Sequence, residues 1–264
     1  MGNQIKLIAS DLDGTLLLND AQECSQELYG LVEALSARGI LFVPASGRQY
    51  ASLKRLFAPV HDKIMYLCEN GALVMKGEVP LFQKGFEREL AMEIGQAICG
   101  IPDCHLMVCC PKSSYTMASS EEFAAYMREE IGYEIGTVEH LEEIAEPILK
   151  VSVSMQPHLR AGIKQKLQPL FEGRCNIAES GDFWIDFAPF GISKGSGLQE
   201  LGRILNIDAS EMAAFGDNEN DRAMLEYVGH PYLMEKCNPV VEDIPAVRCR
   251  RVEEELEKIL LGFS

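Results

Sequence analysis

Several things are missing from this sequence, and each absence narrows what the chain can be. No apolar run among the 264 residues approaches the ~20 residues of a membrane-crossing helix, so no helical span is expected. Basic residues are outnumbered, 24 Lys and Arg against 40 Asp and Glu, for a net charge of -16. A surface of that sign repels nucleic acid and anionic lipid, so neither is expected as a partner. Any phosphate-bearing ligand must instead be drawn to a local positive site. The cysteines show no framework: there are nine, an odd number, with Cys109 and Cys110 adjacent and no CxxC pair. They read as reduced thiols used as small apolar side chains, which points to the cytoplasm. The N-terminal stretch from Met1 to Lys6 has no apolar core of a signal segment. The five histidines, His61, His105, His140, His158 and His230, have no ligand spacing, and tryptophan occurs once, as Trp184. No internal repeat or low-complexity segment is present.

What remains is an ordinary globular composition, 47% apolar and 24% charged, in a length that allows one large domain or two modest ones. Ile5 to Ser10 is a short apolar run that reads as a buried strand, followed by the polar loop Asp11 to Thr15. Glu23 to Arg38 carries apolar residues at helical spacing and stops before Gly39. Ile40 to Pro44 and Ile64 to Cys68 read as further strands, with a helix over Tyr50 to Phe57 between them. This alternation predicts right-handed crossovers and a parallel sheet, with ligands at the carboxyl ends of its strands.

From about Leu81 to Phe187 the pattern changes to strands mixed with helices, an α+β segment. The strands expected there are His105 to Cys110, Tyr115 to Ala118, Ile148 to Met155, Cys175 to Ala178 and Phe183 to Phe187. The α/β alternation returns after Pro189, with a helix over Lys194 to Leu205, a strand over Met212 to Phe215 and a terminal helix over Val252 to Leu261. Residues 1–80 and 188–264 are therefore expected to form one core, with 81–187 inserted into it.

Four segments could carry chemistry. Asp11-Leu12-Asp13-Gly14-Thr15 follows a buried strand. Its four fixed residues, at ~6% usage each, would match by chance in roughly a few chains per thousand. An Asp-rich turn is the plain alternative. However, carboxylates at i and i+2 on a strand's carboxyl edge can face one crevice, where their repulsion calls for a cation. Gly216-Asp217-Asn218-Glu219-Asn220-Asp221 also follows an apolar strand, and capping by Asp217 or Asn218 is its plain alternative. Together the two loops make an oxygen-rich cluster without His or Cys, which favours magnesium over zinc. Lys194, between Ser193 and Gly195, sits at a helix start, where the dipole disfavours a cation. A phosphate shared by the Lys and the helix terminus would account for it, and a solvated surface Lys is the alternative. Ser46-Gly47-Arg48 follows the second strand, where a hydroxyl and an amide can donate to phosphate oxygens, although most such pairs are turns.

In this order the four segments resemble the haloacid dehalogenase-like hydrolases. The large insert, with Glu69-Asn70-Gly71-Ala72 and Gly191-Ile192-Ser193-Lys194-Gly195, looks like their Cof-type sugar phosphatase branch. The resemblance spans the chain. It implies an α/β fold with a Rossmann-like parallel sheet core and an inserted α+β cap that sets specificity. It also implies a phosphatase that hydrolyses small phosphate esters, sugar phosphates among them, through an aspartyl-phosphate. By the same resemblance Asp11 is the nucleophile and a metal ligand, and Asp13 is the general acid/base, whose backbone carbonyl also meets the metal. Asp217 is a further ligand, with magnesium as the cofactor. Ser46, Gly47, Lys194, Asn220 and the Leu12 amide hold the phosphate, while Asp221 supports the metal shell or orients Lys194. Many relatives have Thr where this chain has Ser46.

Two other readings stay open: a phosphomutase using the same intermediate, and a non-catalytic phosphate-binding regulatory protein. The physiological substrate and the oligomeric state are not legible in the sequence. Trp184 and Phe183, alternating with Ile185, read as core, with a place facing the substrate as the alternative for Trp184.

Overall fold

The computed structural model describes residues 4–19, 21–180 and 182–262; residues 1–3 of the polar N-terminal stretch lie outside it. The elements in chain order are β1 (Leu7–Ser10), α1 (Gln26–Ala37), β2 (Leu41–Pro44), α2 (Tyr50–Leu56), β3 (Tyr66–Cys68), β4 (Leu73–Lys76) and β5 (Val79–Gln83). There follow α3 (Arg88–Cys99), β6 (Cys104–Cys109), β7 (Ser114–Met117), α4 (Glu121–Glu129), β8 (Ile135–Val138), β9 (Lys150–Met155), α5 (Arg160–Phe171), β10 (Asn176–Ser180) and β11 (Trp184–Ala188). The last are α6 (Lys194–Leu205), β12 (Met212–Gly216), α7 (Arg222–Tyr227), β13 (His230–Met234), β14 (Val247–Cys249) and α8 (Val252–Leu261).

The first sheet is parallel throughout, in the order β14-β13-β12-β1-β2. Its central strands β1 and β12 are buried along their whole length, as strands covered on both faces must be. Leu7 and Ala9 pack with Leu198 and Leu201 of α6, whereas Ile8 faces the side of α1 and α8. The third strand expected from the sequence begins two residues later than its apolar run suggests. It joins β2 only through isolated parallel bridges, Phe42 with Ile64 and Ala45 with Leu67. It then heads the antiparallel β3-β4-β5 sheet, a reversal not anticipated from the sequence. Residue 81, the expected start of the insert, lies inside β5.

The strands of 104–188 form a separate sheet, β10-β11-β9-β6-β7-β8, antiparallel except for the β7–β8 pair. Strand alternation gives it two unlike faces. Leu106, Val108, Val151, Val153, Ile185 and Phe187 point to one side and pack with α3 and α5. The opposite side carries Lys150, Ser152 and Asp186, and α4 packs on part of it through Ala124 and Met127. Among the described residues, no helix is long and apolar enough to cross a membrane.

Candidate active site

Three loops meet at the carboxyl edge of the parallel sheet, one after each of the neighbouring strands β1, β2 and β12. They bring Asp11, Asp217 and Asp221 together, with one carboxylate oxygen of each within 4.8 Å of the others. Lys194, fully buried at the first turn of α6, donates to Asp11 Oδ1 and to Asp221 Oδ1, the latter at 2.6 Å. Ser193 caps that helix by accepting the Ser196 amide at 3.1 Å, so the lysine side chain is free to turn inward.

The cluster holds three carboxylates against one ammonium. Burial pushes the Asp11 carboxyl well above the usual carboxylate range, and the Asp221 and Asp217 charges add to this against the pull of Lys194. Burial and Asp221 likewise push Asp217 up to about 6. Burial alone would lower Lys194, but the Asp11 and Asp221 carboxylates outweigh it and hold the ammonium above its ordinary value.

The four carboxylates are differently supplied with partners. Asp221 is fully engaged: Oδ1 accepts from Lys194, and Oδ2 accepts from the amides of Asp217 and Asn218, both at 3.0 Å. Asp217 accepts from the Thr15 hydroxyl at 2.8 Å. Gly14 makes that approach possible: its φ is +92°, and a Cβ there would lie 2.5 Å from Asp217 Oδ2. Asp13 lies apart from the cluster, exposed at the cavity mouth, and Arg48 grips it with two bonds of 3.0 and 2.6 Å. Asn218 does cap a short turn, accepting the Glu219 amide at 2.8 Å.

The residues expected to hold phosphate converge on the same cleft. Ser46, Gly47 and Asn220 line one cavity with Asp11 and Asp13. Leu12 is buried, and its carbonyl closes the loop by accepting the amides of Leu16 and Leu17 at 2.9 and 2.8 Å.

A second buried polar group, unnoticed in the sequence, joins this cleft to the six-stranded sheet. The Lys150 ammonium donates to the Gly47 carbonyl at 2.6 Å and lies 3.0 Å from Glu69 Oε2 and 3.6 Å from Asp186 Oδ2. Asp186 also accepts from Asn70 at 2.7 Å and from Ser152 at 2.6 Å. Asn70 in turn accepts from Asn220 at 3.3 Å. Glu69, Asn70 and Gly71 all have positive φ, a run that tertiary contacts must impose. A lysine and an aspartate at the strand positions of Lys150 and Asp186 break the apolar pattern of their neighbours, and that was the signal available.

The cavity also corrects the reading of Trp184 and Phe183 as core. Ile185 is buried, but Trp184 is half-buried and Phe183 half-exposed, and both line the cavity. Of the five histidines, His105 lines it too.

Residues 8–253 match the haloacid dehalogenase-like hydrolase family. The chain is 25% identical over 256 residues to the 5-amino-6-(5-phospho-D-ribitylamino)uracil phosphatase YbjI of Escherichia coli, covering 97% of this chain and 94% of that one. It is 26% identical over 274 residues to phosphatase YwpJ of Bacillus subtilis, covering 92% and 93%. Among solved structures, a sugar phosphatase of haloacid dehalogenase subclass IIB shares the fold, at 19% identity and a TM-score of 0.81 over 98% of this chain and 100% of that one.

Proposed function

The chain belongs to the haloacid dehalogenase-like hydrolases, as one of their Cof-type phosphatases, and from that premise we propose that it works with magnesium through an aspartyl-phosphate on Asp11. The observation that carries this reading is the burial of Lys194 between Asp11 and Asp221, with Asp217 alongside. Such a cluster puts a nucleophile next to a fixed positive charge, where phosphoryl transfer needs positioning and charge stabilisation above all.

The donor set fits a hard dication. It consists of carboxylate oxygens with no His or Cys, and its negative charge exceeds what one lysine can balance. Asp11 and Asp217 would hold the ion, with the Asp13 backbone carbonyl. Asp221, its oxygens taken by Lys194 and two amides, acts from outside by orienting the lysine. Magnesium bound there would offset charge on the phosphoryl oxygens.

The remaining steps belong to the protein. Ser46, the Gly47 and Leu12 amides, Asn220 and Lys194 orient the phosphate. An oxygen of Asp11 attacks phosphorus, the ester P–O bond breaks, and Asp13 gives its proton to the leaving oxygen. Asp13 then takes a proton from the water that attacks the aspartyl-phosphate, freeing inorganic phosphate and restoring Asp11. Residues 81–187 act as a cap that excludes bulk water and selects the leaving group. The cavity's lining supports this, since it is shared by the core loops and the six-stranded sheet. A sugar phosphate is the substrate class proposed from the Cof-type resemblance. We place the protein in the cytoplasm, in keeping with nine unpaired cysteines.

The test is phosphate release from a panel of phosphorylated metabolites with magnesium and with excess chelator. Steady release that chelator abolishes is the expected result. Release unaffected by chelator overturns the metal requirement, and product isomerisation without release points to a mutase.

A further inference from the structure

The cavity that opens from Asp11 has a volume of about 680 Å³, the size of a site for a whole metabolite rather than for phosphate alone. Its far wall is built by strand register. Asp186, Ser152 and Met107 stand side by side in one row across the sheet. Two residues further along each strand, Ser180, Trp184, Ser154 and His105 form the next row, about 7 Å beyond the first. Asp186 bonds Asn70 beside the phosphate loops, so this second row lies roughly one sugar's length from the phosphate.

The second row sets two rings, Trp184 and His105, among two serines. Phe123 of α4 lies flat on the His105 ring, with centroids 4.7 Å apart and planes 4° off parallel, and it packs against Trp184 at 6.0 Å. Burial lowers the His105 imidazole below its ordinary value, which favours the neutral ring. Met127 and Ile131 complete an apolar wall. The charged side chains at this end are Asp103, Glu122 and Asp182, all acidic and exposed. The basic residues lining the cavity, Arg48 and Lys150, are engaged at the other end, with Asp13 and the Gly47 carbonyl.

We infer that the substrate's leaving group ends in a flat unsaturated ring, neutral or cationic, held against Trp184 and the His105–Phe123 stack and joined to the phosphate by a linker of about sugar length. This rests on the phosphatase reading of the same cavity and narrows it. A bare sugar phosphate could pair hydroxyls with Ser154 and Ser180, but it would leave the faces of Trp184 and the His105–Phe123 stack and the Met127–Ile131 wall without a flat apolar partner. A second anionic group would meet the carboxylates of Asp103 and Glu122, and that of Asp182, which lies 3.6 Å from the Arg160 guanidinium.

Trp184 is the sole tryptophan, so the subsite reports on itself. The experiment titrates Asp11→Asn protein with uridine 5′-monophosphate, pyridoxine 5′-phosphate and glycerol 3-phosphate while following tryptophan emission. In parallel, kcat/KM for phosphate release is measured with the native chain, Trp184→Phe and Trp184→Leu. The ring-bearing esters should shift the emission saturably and glycerol 3-phosphate should not. The ratio of kcat/KM for ring-bearing over ringless esters should fall about tenfold or more in Trp184→Leu and be largely kept in Trp184→Phe, as expected for loss of one stacked ring. Hydrolysis with unmoved emission, or with a ratio unchanged in Trp184→Leu, overturns the ring subsite. A saturable emission shift without hydrolysis of any ester supports the subsite and overturns the phosphatase chemistry instead.

Discussion

At the scale of single residues, carboxylates of identical chemistry are given different work by their surroundings. Asp11 is buried beside Lys194, whereas Asp13 is exposed and gripped by Arg48. Asp13→Asn should therefore keep the nucleophile and lose proton transfer, typically worth ~10²–10⁴-fold. The loss should shrink on an acyl phosphate, whose leaving group needs no proton; equal impairment on alkyl and acyl phosphates would contradict the role. Lys194→Ala should lower kcat by roughly two or more orders of magnitude. A change under about threefold would mean that the buried ammonium does not face the transferring oxygens. Asp217 allows a prediction with pH. Its folded value of about 6 lies above the ordinary carboxylate value, so the folded metal-free chain keeps a proton that the unfolded chain has released. Through this group, stability falls as pH rises from about 4 to 6. The rise in Tm produced by magnesium should accordingly be larger at pH 7.5 than at pH 5, and Asp217→Asn should flatten that difference.

Three of the four motifs were legible because each follows an apolar run, and an apolar run with a polar loop behind it is what a buried parallel strand looks like; Lys194 was legible instead from its place at a helix start. The residues of the cavity wall were harder to read. Trp184 and Ile185 are adjacent, so in a strand they must face opposite ways; Ile185 takes the core and Trp184 the cavity. Lys150, Ser152 and Ser154 carry the same signal in β9, polar positions alternating with Val151 and Val153.

At the scale of elements, α6 runs over Lys194–Leu205, the span its sequence predicts, because its cap, its apolar stripe and its stop coincide. The β4–β5 hairpin and the short strands β8 and β14 went unseen. β14 is mostly exposed, and three or four residues carry too little pattern to separate a strand from a loop. The turn over Glu69–Gly71 shows how elements support the site. Gly71 has a φ of +97°, and a Cβ there would sit 2.1 Å from the Ser193 carbonyl, one residue before Lys194. Gly71→Ala should cost at least about 1–3 kcal/mol from backbone strain and also displace the start of α6. Chemical denaturation and kcat should both report it, and a variant as stable and active as the native chain would refute the close packing.

At the scale of the whole molecule, the net charge and the metal-free site, three carboxylates against one ammonium, have the same sign. On the proposed mechanism, a chain of net charge -16 is expected to take up a phosphate ester only where Lys194 and a dication together offset the three carboxylates. Lys150 holds the six-stranded sheet to the core at the Gly47 carbonyl while balancing two buried acids, Glu69 and Asp186. Lys150→Met strands Glu69 and leaves Asp186 to its Asn70 and Ser152 donors, and should destabilise the protein by about 3–5 kcal/mol, whereas an exposed pair such as Lys54–Glu78 should be nearly neutral to remove. Thermal melts of Lys150→Met and Lys54→Met side by side make the comparison, and equal losses would contradict it.

Passage of the phosphoryl group through Asp11 is measured directly by a covalent trap. The protein is mixed with a turned-over phosphate ester and magnesium, quenched in acid within a turnover, and digested for mass spectrometry. One phosphorylated peptide is expected, with the added mass on Asp11, and none from Asp11→Asn. A phosphorylated peptide from Asp11→Asn, or phosphate found on another residue of the native chain, would contradict passage through Asp11.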